Sequence, residues 1–260
     1  EKVFYWYLAK AFGAKVNGLP FYMLAQQTPL NLLKKIKLNL FNIQAVLFGQ
    51  AGFFMNEYKD DFPRRLKQEY QFQQKKLKIT PIPFATWKFL RMRPVNFPSI
   101  RIAQFARLIH QSDNLFSKSL AAQNLKQYEN MFELKLADYW KKHYVFDKES
   151  VNREKKLGKQ SIHSILINTI APFLFLYGKH RKEQQFVDKA IELLQAIPPE
   201  QNKITRTFTD LGFPIKSAFD SQAIIHLKRK FCDQRKCVYC KIGYQILQGA
   251  GLRDKNILER

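Results

Sequence analysis

The sequence predicts an all-α fold: a compact multi-helix domain of short, punctuated helices, with room for two helical subdomains. Apolar residues recur at helical spacing along most of the 260 residues, which is the pattern of helices that bury one face. No series of alternating apolar and polar residues separated by hairpin signals is present. Gly, Pro and Thr-Pro breaks interrupt the helical pattern at short intervals. A 46% hydrophobic share with 25% charged residues can bury a sizeable core, which excludes a disordered chain, a collagen and a disulfide-stapled mini-protein.

The elements follow in order. Residues 1–12 place Val3, Phe4, Tyr7, Leu8 and Phe12 on one stripe and stop at Gly13. A second helix is expected near Pro20. A third is announced by Thr28-Pro29, where Thr can cap exposed amides and Pro suits the first helical position. Residues 42–54 are apolar nearly all round, with Ala45, Gly49 and Gly52 forming a small-residue stripe; this predicts a central buried helix that a neighbour approaches closely. Residues 63–76 are strongly polar and predict an exposed helix. Pro81, Pro83 and Pro94 bracket a Trp87–Arg93 segment and keep it from being one long helix. A helix from about Phe97 runs to Gln111.

Eight of the fourteen residues 147–160 are charged, which predicts a mobile loop and a boundary between an N-terminal helical part (1–146) and a C-terminal one (161–247). Within the latter, a buried helix is expected at 162–177, an amphipathic one at 183–197 and another at 216–231. Residues 248–260 lack a periodic apolar face and predict a frayed tail. The apolar stretch 165–177 is interrupted by Asn168 and Pro172 and is shorter than the ~20 residues of a spanning helix. Together with the absence of a cleavable apolar leader, this leads us to expect a soluble, cytoplasmic protein with no membrane partner.

The net charge is +23, from 44 Lys and Arg against 21 Asp and Glu. Residues 1–130 carry 20 basic and 7 acidic groups and residues 131–260 carry 24 and 14, so the charge is spread over the fold. Such an excess attracts phosphate backbones and other polyanions. The alternative is a Lys-rich surface that serves only solubility.

Three segments hold candidate chemistry. In 91–111, Arg101, Gln104, Arg107 and Gln111 share one third of the helical wheel, and Arg91 and Arg93 precede the turn. Guanidiniums near a helix N-terminus suit a phosphate or carboxylate, so Arg91, Arg93, Arg101, Gln104 and Arg107 are candidate anion-binding residues. Internal pairing or plain hydration is the alternative. Cys232, Cys237 and Cys240 have spacing that suits part of a zinc site or part of an iron–sulfur ligand set, with His226 as a fourth ligand and Asp233 a weaker one. Free packing as small hydrophobes is the alternative. Asn168, and Ser221 with Gln222, are polar residues in apolar runs and predict specified tertiary contacts. His143, and Glu200 with Asn202, are isolated candidates for acid–base work. No nucleophile elbow, P-loop, zincin or dinucleotide motif occurs, so no self-contained catalytic motif supports an enzyme.

Several stretches in this order, LAKAFGAKVNGLPFYMLAQQTPL, AVLFGQAGFF, WKFLRMRPVNFPSIRIAQFARLI, DYWKKHYVF, LINTIAPFLFLYG, IPPEQNKI, SAFDSQAIIHLK and FCDQRKCVYCKIG, resemble the bacterial family known as domain of unknown function 2851, from the first residue to about Leu247. The resemblance implies no activity. Similar members carry, further N-terminal, G-P-D-F and W-x-G-x-V-E-I-H motifs that look like the carboxylate pair of a metal-dependent nuclease core; neither motif occurs here. Gln44 stands where the family pattern has an acid and His226 where it has Gln. The three Cys, Arg91, Arg93, Arg101, Gln104, Asn168, Glu200, Asn202, Ser221 and Gln222 match the pattern. The expectation is a basic helical module that binds DNA or RNA, accessory to such a nuclease-like region. A protein-interaction module and a site for a small anionic ligand are the alternatives.

Overall fold

In the computed structural model, which describes residues 1–255, helices dominate in the expected order. Helix α1 (Lys2–Phe12) leads into α2 (Ala14–Gln27), α3 (Leu30–Lys35), α4 (Leu40–Gln50) and α5 (Asp61–Leu77). After short 3₁₀ turns come α6 (Pro98–Gln111), α7 (Leu115–Ala121), α8 (Leu125–Asn130) and α9 (Tyr139–Lys142). A small hairpin, β1 (His143–Val145) and β2 (Lys148–Glu149), then precedes α10 (Lys159–Ile165), α11 (Ala171–Arg181) and α12 (Gln184–Ala196). Helices α13 (Lys203–Asp210), α14 (Ala218–Leu227) and α15 (Lys241–Lys255) complete the order. Two units divide at Ala190/Ile191, within α12.

The first unit is built around α4 and α6. Every residue from Ile43 to Gln50 is buried, as the apolar pattern predicts. The small-residue stripe does bring a neighbour close, and the neighbour is a ring: a Cβ on Gly49 would lie 2.1 Å from Tyr70 of α5. Residues Pro98 to Ala106 of α6 are buried without a break. Phe105 lies 5.2 Å from Phe12 and 5.8 Å from Tyr5, and Phe48 stacks on Trp140 at 5.3 Å. Burial of each such ring contributes about 2–3 kcal/mol.

Several local expectations shift. Helix α1 buries Phe4, Tyr5, Leu8, Ala9 and Phe12, while Val3 and Tyr7 of the expected stripe stay exposed. Helix α2 starts at Ala14 and kinks at Asn17, one turn before Pro20, whose ring and missing N–H break the ladder there. Thr28 does not cap the start of α3, where Pro29 is the N-cap without a side-chain bond; it is the C-cap of α2 instead, and its carbonyl accepts from the Tyr5 hydroxyl at 2.8 Å.

The hairpin is a feature the sequence did not announce. Its strands pair antiparallel, His143 with Glu149 and Val145 with Lys148, and Asp147 takes a left-handed φ of 58° in the turn. Residues 147–160 lie within the first unit and are tied down by Ser150 N–H to Lys142 O and Arg153 N–H to Lys141 O.

Helices α10 and α11 join through a π turn at Leu166–Ile170, so one continuous helix runs from Lys159 to Arg181. The π turn takes up the break before Pro172, whose ring then sits in the first turn of α11. By length and composition these 23 residues are long and apolar enough to cross a membrane, and half of their most apolar window is buried within the protein. The helix is thus longer than the expected 162–177, taking in polar flanks at both ends.

In the second unit, capping boxes start α13 at Asn202 and α14 at Ser217. Helix α15 runs to Lys255, through part of the stretch expected to fray; residues 256–260 lie outside the described residues.

Candidate functional site

The segment between α5 and α6 is extended, as its prolines require, with 3₁₀ turns at Phe84–Thr86 and Pro94–Asn96. Three anchors hold it against the buried helices. The Ile82 N–H donates to Gln50 O at 2.8 Å. Trp87 Nε1 donates to Ala51 O at 2.8 Å. Asn17, at the kink of α2, pairs its carboxamide with the Lys88 backbone: Nδ2 donates to Lys88 O and Oδ1 accepts from Lys88 N, both at 2.9 Å, and Nδ2 also donates to Met92 Sδ at 3.5 Å.

Gly52 makes the first two anchors possible. It has φ +76°, and a Cβ there would lie 2.5 Å from Ile82 O and 2.9 Å from Phe84 N, so only glycine lets the segment lie against the end of α4.

On this fixed segment Lys88, Arg91 and Arg93 are exposed. None has a carboxylate within ion-pair distance among the described residues. Arg91 takes a left-handed φ of 58°, a conformation a non-glycine residue holds only when its surroundings impose it.

The same segment contributes Phe84 and Phe89 to an aromatic cleft of about 270 Å³, lined also by Phe53, Tyr58 and Phe146 among others. Phe84 stands 5.0 Å from Phe53 and 6.0 Å from Phe89, ring to ring. It remains 42% exposed, and Leu90 on the same segment is 88% exposed.

A polar network fixes the wall that carries Phe146. The Tyr139 hydroxyl donates to Asp60 Oδ2 at 2.6 Å and accepts from Asp147 N at 3.2 Å. Asp147 accepts in turn from the backbone amides of Lys59 and Asp60. His143 stacks on Tyr139 with ring centroids 3.9 Å apart. Its Nδ1 is 2.9 Å from Tyr139 O, an acceptor only, so Nδ1 bears the hydrogen. Its Nε2 is 3.3 Å from Asp60 Oδ2. Burial and the neighbouring Asp60 raise the Tyr139 hydroxyl above its usual range and keep it a neutral donor. The structure thus places His143 beside the Asp60 carboxylate, a neighbour the sequence did not reveal, while its Nε2 makes no hydrogen bond, and the network joins α9 and the hairpin to the start of α5.

The Arg-rich set separates into two. Arg91 and Arg93 are exposed, whereas Arg101 and Gln104 are 7% and 1% exposed. Arg101 donates to Asn96 Oδ1 at 2.6 Å, Ser161 Oγ at 2.8 Å and Gln104 Oε1 at 3.1 Å, and Gln104 donates to Lys155 O at 3.0 Å. Burial pushes the Arg101 guanidinium down to about 10, still a cation at neutral pH. These two residues clamp the end of the basic segment to α10 from inside. Arg107 is half-buried with its Nε enclosed. Arg101 and Gln104 thus face internal partners, Arg107 Nε is enclosed without a hydrogen bond, and the five residues do not form one exposed cluster.

In the second unit the thiols of Cys232, Cys237 and Cys240 share an apolar pocket of about 200 Å³ with Phe208, Phe213 and Phe231. Among the described residues no group of three or more His, Cys, Asp and Glu is placed to hold a metal ion. His226 is exposed, its ring 6.2 Å from Phe231, and Asp233 is paired with Lys228. The structure does not assemble the zinc or iron–sulfur ligand set that the spacing suggests.

Of the remaining polar residues, Ser221 and Gln222 do make a specified contact. Ser221 Oγ accepts from Glu200 N at 3.2 Å, and Gln222 Nε2 donates to the Glu200 carboxylate. Asn168 instead is exposed and bonds Ser164 O one turn away, at 2.8 Å.

A family model described as "Protein of unknown function (DUF2851)" matches residues 1–203. The chain belongs to this family. Comparison with curated proteins and with solved structures gives no match. The part that matches DUF2851 contains the basic segment, its three anchors, the aromatic cleft and the Asp60–Tyr139–His143 network, while the three Cys lie beyond it.

Proposed function

We propose that this DUF2851 chain is a nucleic-acid-binding module whose phosphate contacts are Lys88, Arg91 and Arg93. The observation that supports the reading is a fixed, exposed basic segment with no carboxylate partner among the described residues. An unpaired guanidinium held on a rigid support meets a phosphate without first losing an internal partner or its own conformational freedom. The overall charge of +23 adds long-range attraction, and bound phosphates release counterions. Arg101 and Gln104 support the segment and do not touch the strand.

The test is a salt titration of binding to labelled DNA. The affinity of the native chain falls steeply with salt, and Arg91→Ala with Arg93→Ala lowers the slope of log K against log salt by about 2. Affinity that is flat between low and moderate salt contradicts the reading.

A further inference from the structure

We propose that the aromatic cleft to which the basic segment contributes Phe84 and Phe89 takes one unstacked nucleobase, so that the ligand of this chain is a single strand. The inference rests on the reading of Lys88, Arg91 and Arg93 as phosphate contacts and adds to it the kind of strand that is bound.

The cleft is built for a flat apolar ligand. Phe53 and Phe146 are buried, Phe89 is half-buried, and Phe84 presents 42% of its surface to solvent. Phe84 thus offers ring surface to an incoming aromatic while its contacts with Phe53 and Phe89 hold it in place. About 270 Å³ accommodates one planar base, and base–aromatic stacking tolerates any sequence because every base has a π-face.

Charge fits the same occupant. The cations on the segment are Lys88, Arg91 and Arg93, Lys59 is exposed nearby, Glu57 is engaged by Lys67, and Asp147, which follows the cleft residue Phe146, spends its carboxylate on the backbone amides of Lys59 and Asp60. Asn56 also lines the cleft, and its side chain makes no hydrogen bond among the described residues, which leaves a donor and an acceptor for a base edge. A base within a duplex is covered on both faces and enters only after unpairing, so the cleft discriminates against double strands.

The experiment compares two strands of equal charge: a single-stranded oligonucleotide and the same oligonucleotide with abasic positions. The native chain binds the abasic strand roughly 5- to 100-fold more weakly, with an unchanged salt slope. Phe84→Ala weakens binding to the normal strand by a similar factor and leaves binding to the abasic strand alone; its melting temperature confirms that it is folded. In the native chain, 2-aminopurine in the strand changes fluorescence on binding as it leaves its neighbours and stacks on the ring. Equal binding of both strands overturns the base-in-cleft inference and leaves the phosphate reading standing. No binding of either strand at low salt overturns both.

Discussion

Asn17 and Lys88 exchange two hydrogen bonds, carboxamide to backbone, each 2.9 Å long. The pair joins a kinked helix to a segment 71 residues away and uses no charge. It exists because Pro20 disrupts the helix at Asn17, which frees that residue from regular geometry and turns a buried amide onto an extended neighbour. What the basic segment presents to solvent depends on a joint made of neutral groups.

Asn17→Ala is expected to cost about 2 kcal/mol, because two bonds are lost and the Lys88 amide and carbonyl are left unpaired. Urea unfolding measures the loss. Hydrogen exchange adds a local readout: the Lys88 amide is protected in the native chain and exchanges faster in the variant, ahead of global unfolding.

Gly52→Ala is expected to be more damaging than an ordinary turn substitution. It combines a φ of +76° with a Cβ 2.5 Å from Ile82 O, and the segment must move away from α4 to admit it. A loss of roughly 2–4 kcal/mol is expected, with loss of the Trp87-to-Ala51 bond visible as a shift in tryptophan emission.

Arg101→Ala separates support from contact. It removes bonds to Asn96, Ser161 and Gln104 and is expected to destabilise the chain by about 2–4 kcal/mol, while the salt slope of DNA binding measured on folded protein stays unchanged. Arg91→Ala with Arg93→Ala does the opposite, leaving the melting temperature nearly unchanged and lowering the slope.

The Glu129–His163 pair gives the acid side of the stability profile. His163 Nε2 lies 2.8 Å from Glu129 Oε1, and this bond, helped by Lys159 and Lys126, holds the Glu129 carboxyl below its usual range. A carboxyl depressed in the folded state binds its proton more readily when unfolded, so the pair stabilises the fold above the ordinary carboxylate range and is lost as pH falls through the folded value. The stability difference between the native chain and Glu129→Gln, measured by urea unfolding from neutral pH downward, is therefore expected to shrink toward acid.

The fold class and the exposed basic residues are legible in the sequence because both rest on local rules. Helical periodicity sets the one, and Pro81, Pro83 and Pro94 hold Arg91 and Arg93 out of any helix. The fate of Arg101 and Gln104 is not legible. A polar stripe at helical spacing looks the same whether it faces water or faces Asn96, Ser161 and a carbonyl across the core. Asp60 and His143 lie 83 positions apart, and no spacing rule joins them. The hairpin has three residues in one strand and two in the other, too few to alternate. Gly49 and Gly52 fall on one stripe of small residues, yet Gly49 makes room for a ring and Gly52 supplies a left-handed turn; only the backbone geometry separates the two roles.

A charge-matched comparison bears on the basic segment above everything else. Arg91→Ala with Arg93→Ala and Lys35→Ala with Lys118→Ala each remove two exposed cations that form no ion pair among the described residues, so the global charge falls equally. Binding of a labelled single strand at one moderate salt concentration is expected to weaken by about tenfold or more in the first variant and by less than about twofold in the second. Equal weakening in both would mean that the strand responds only to net charge and that the Lys88–Arg93 segment is not its binding surface.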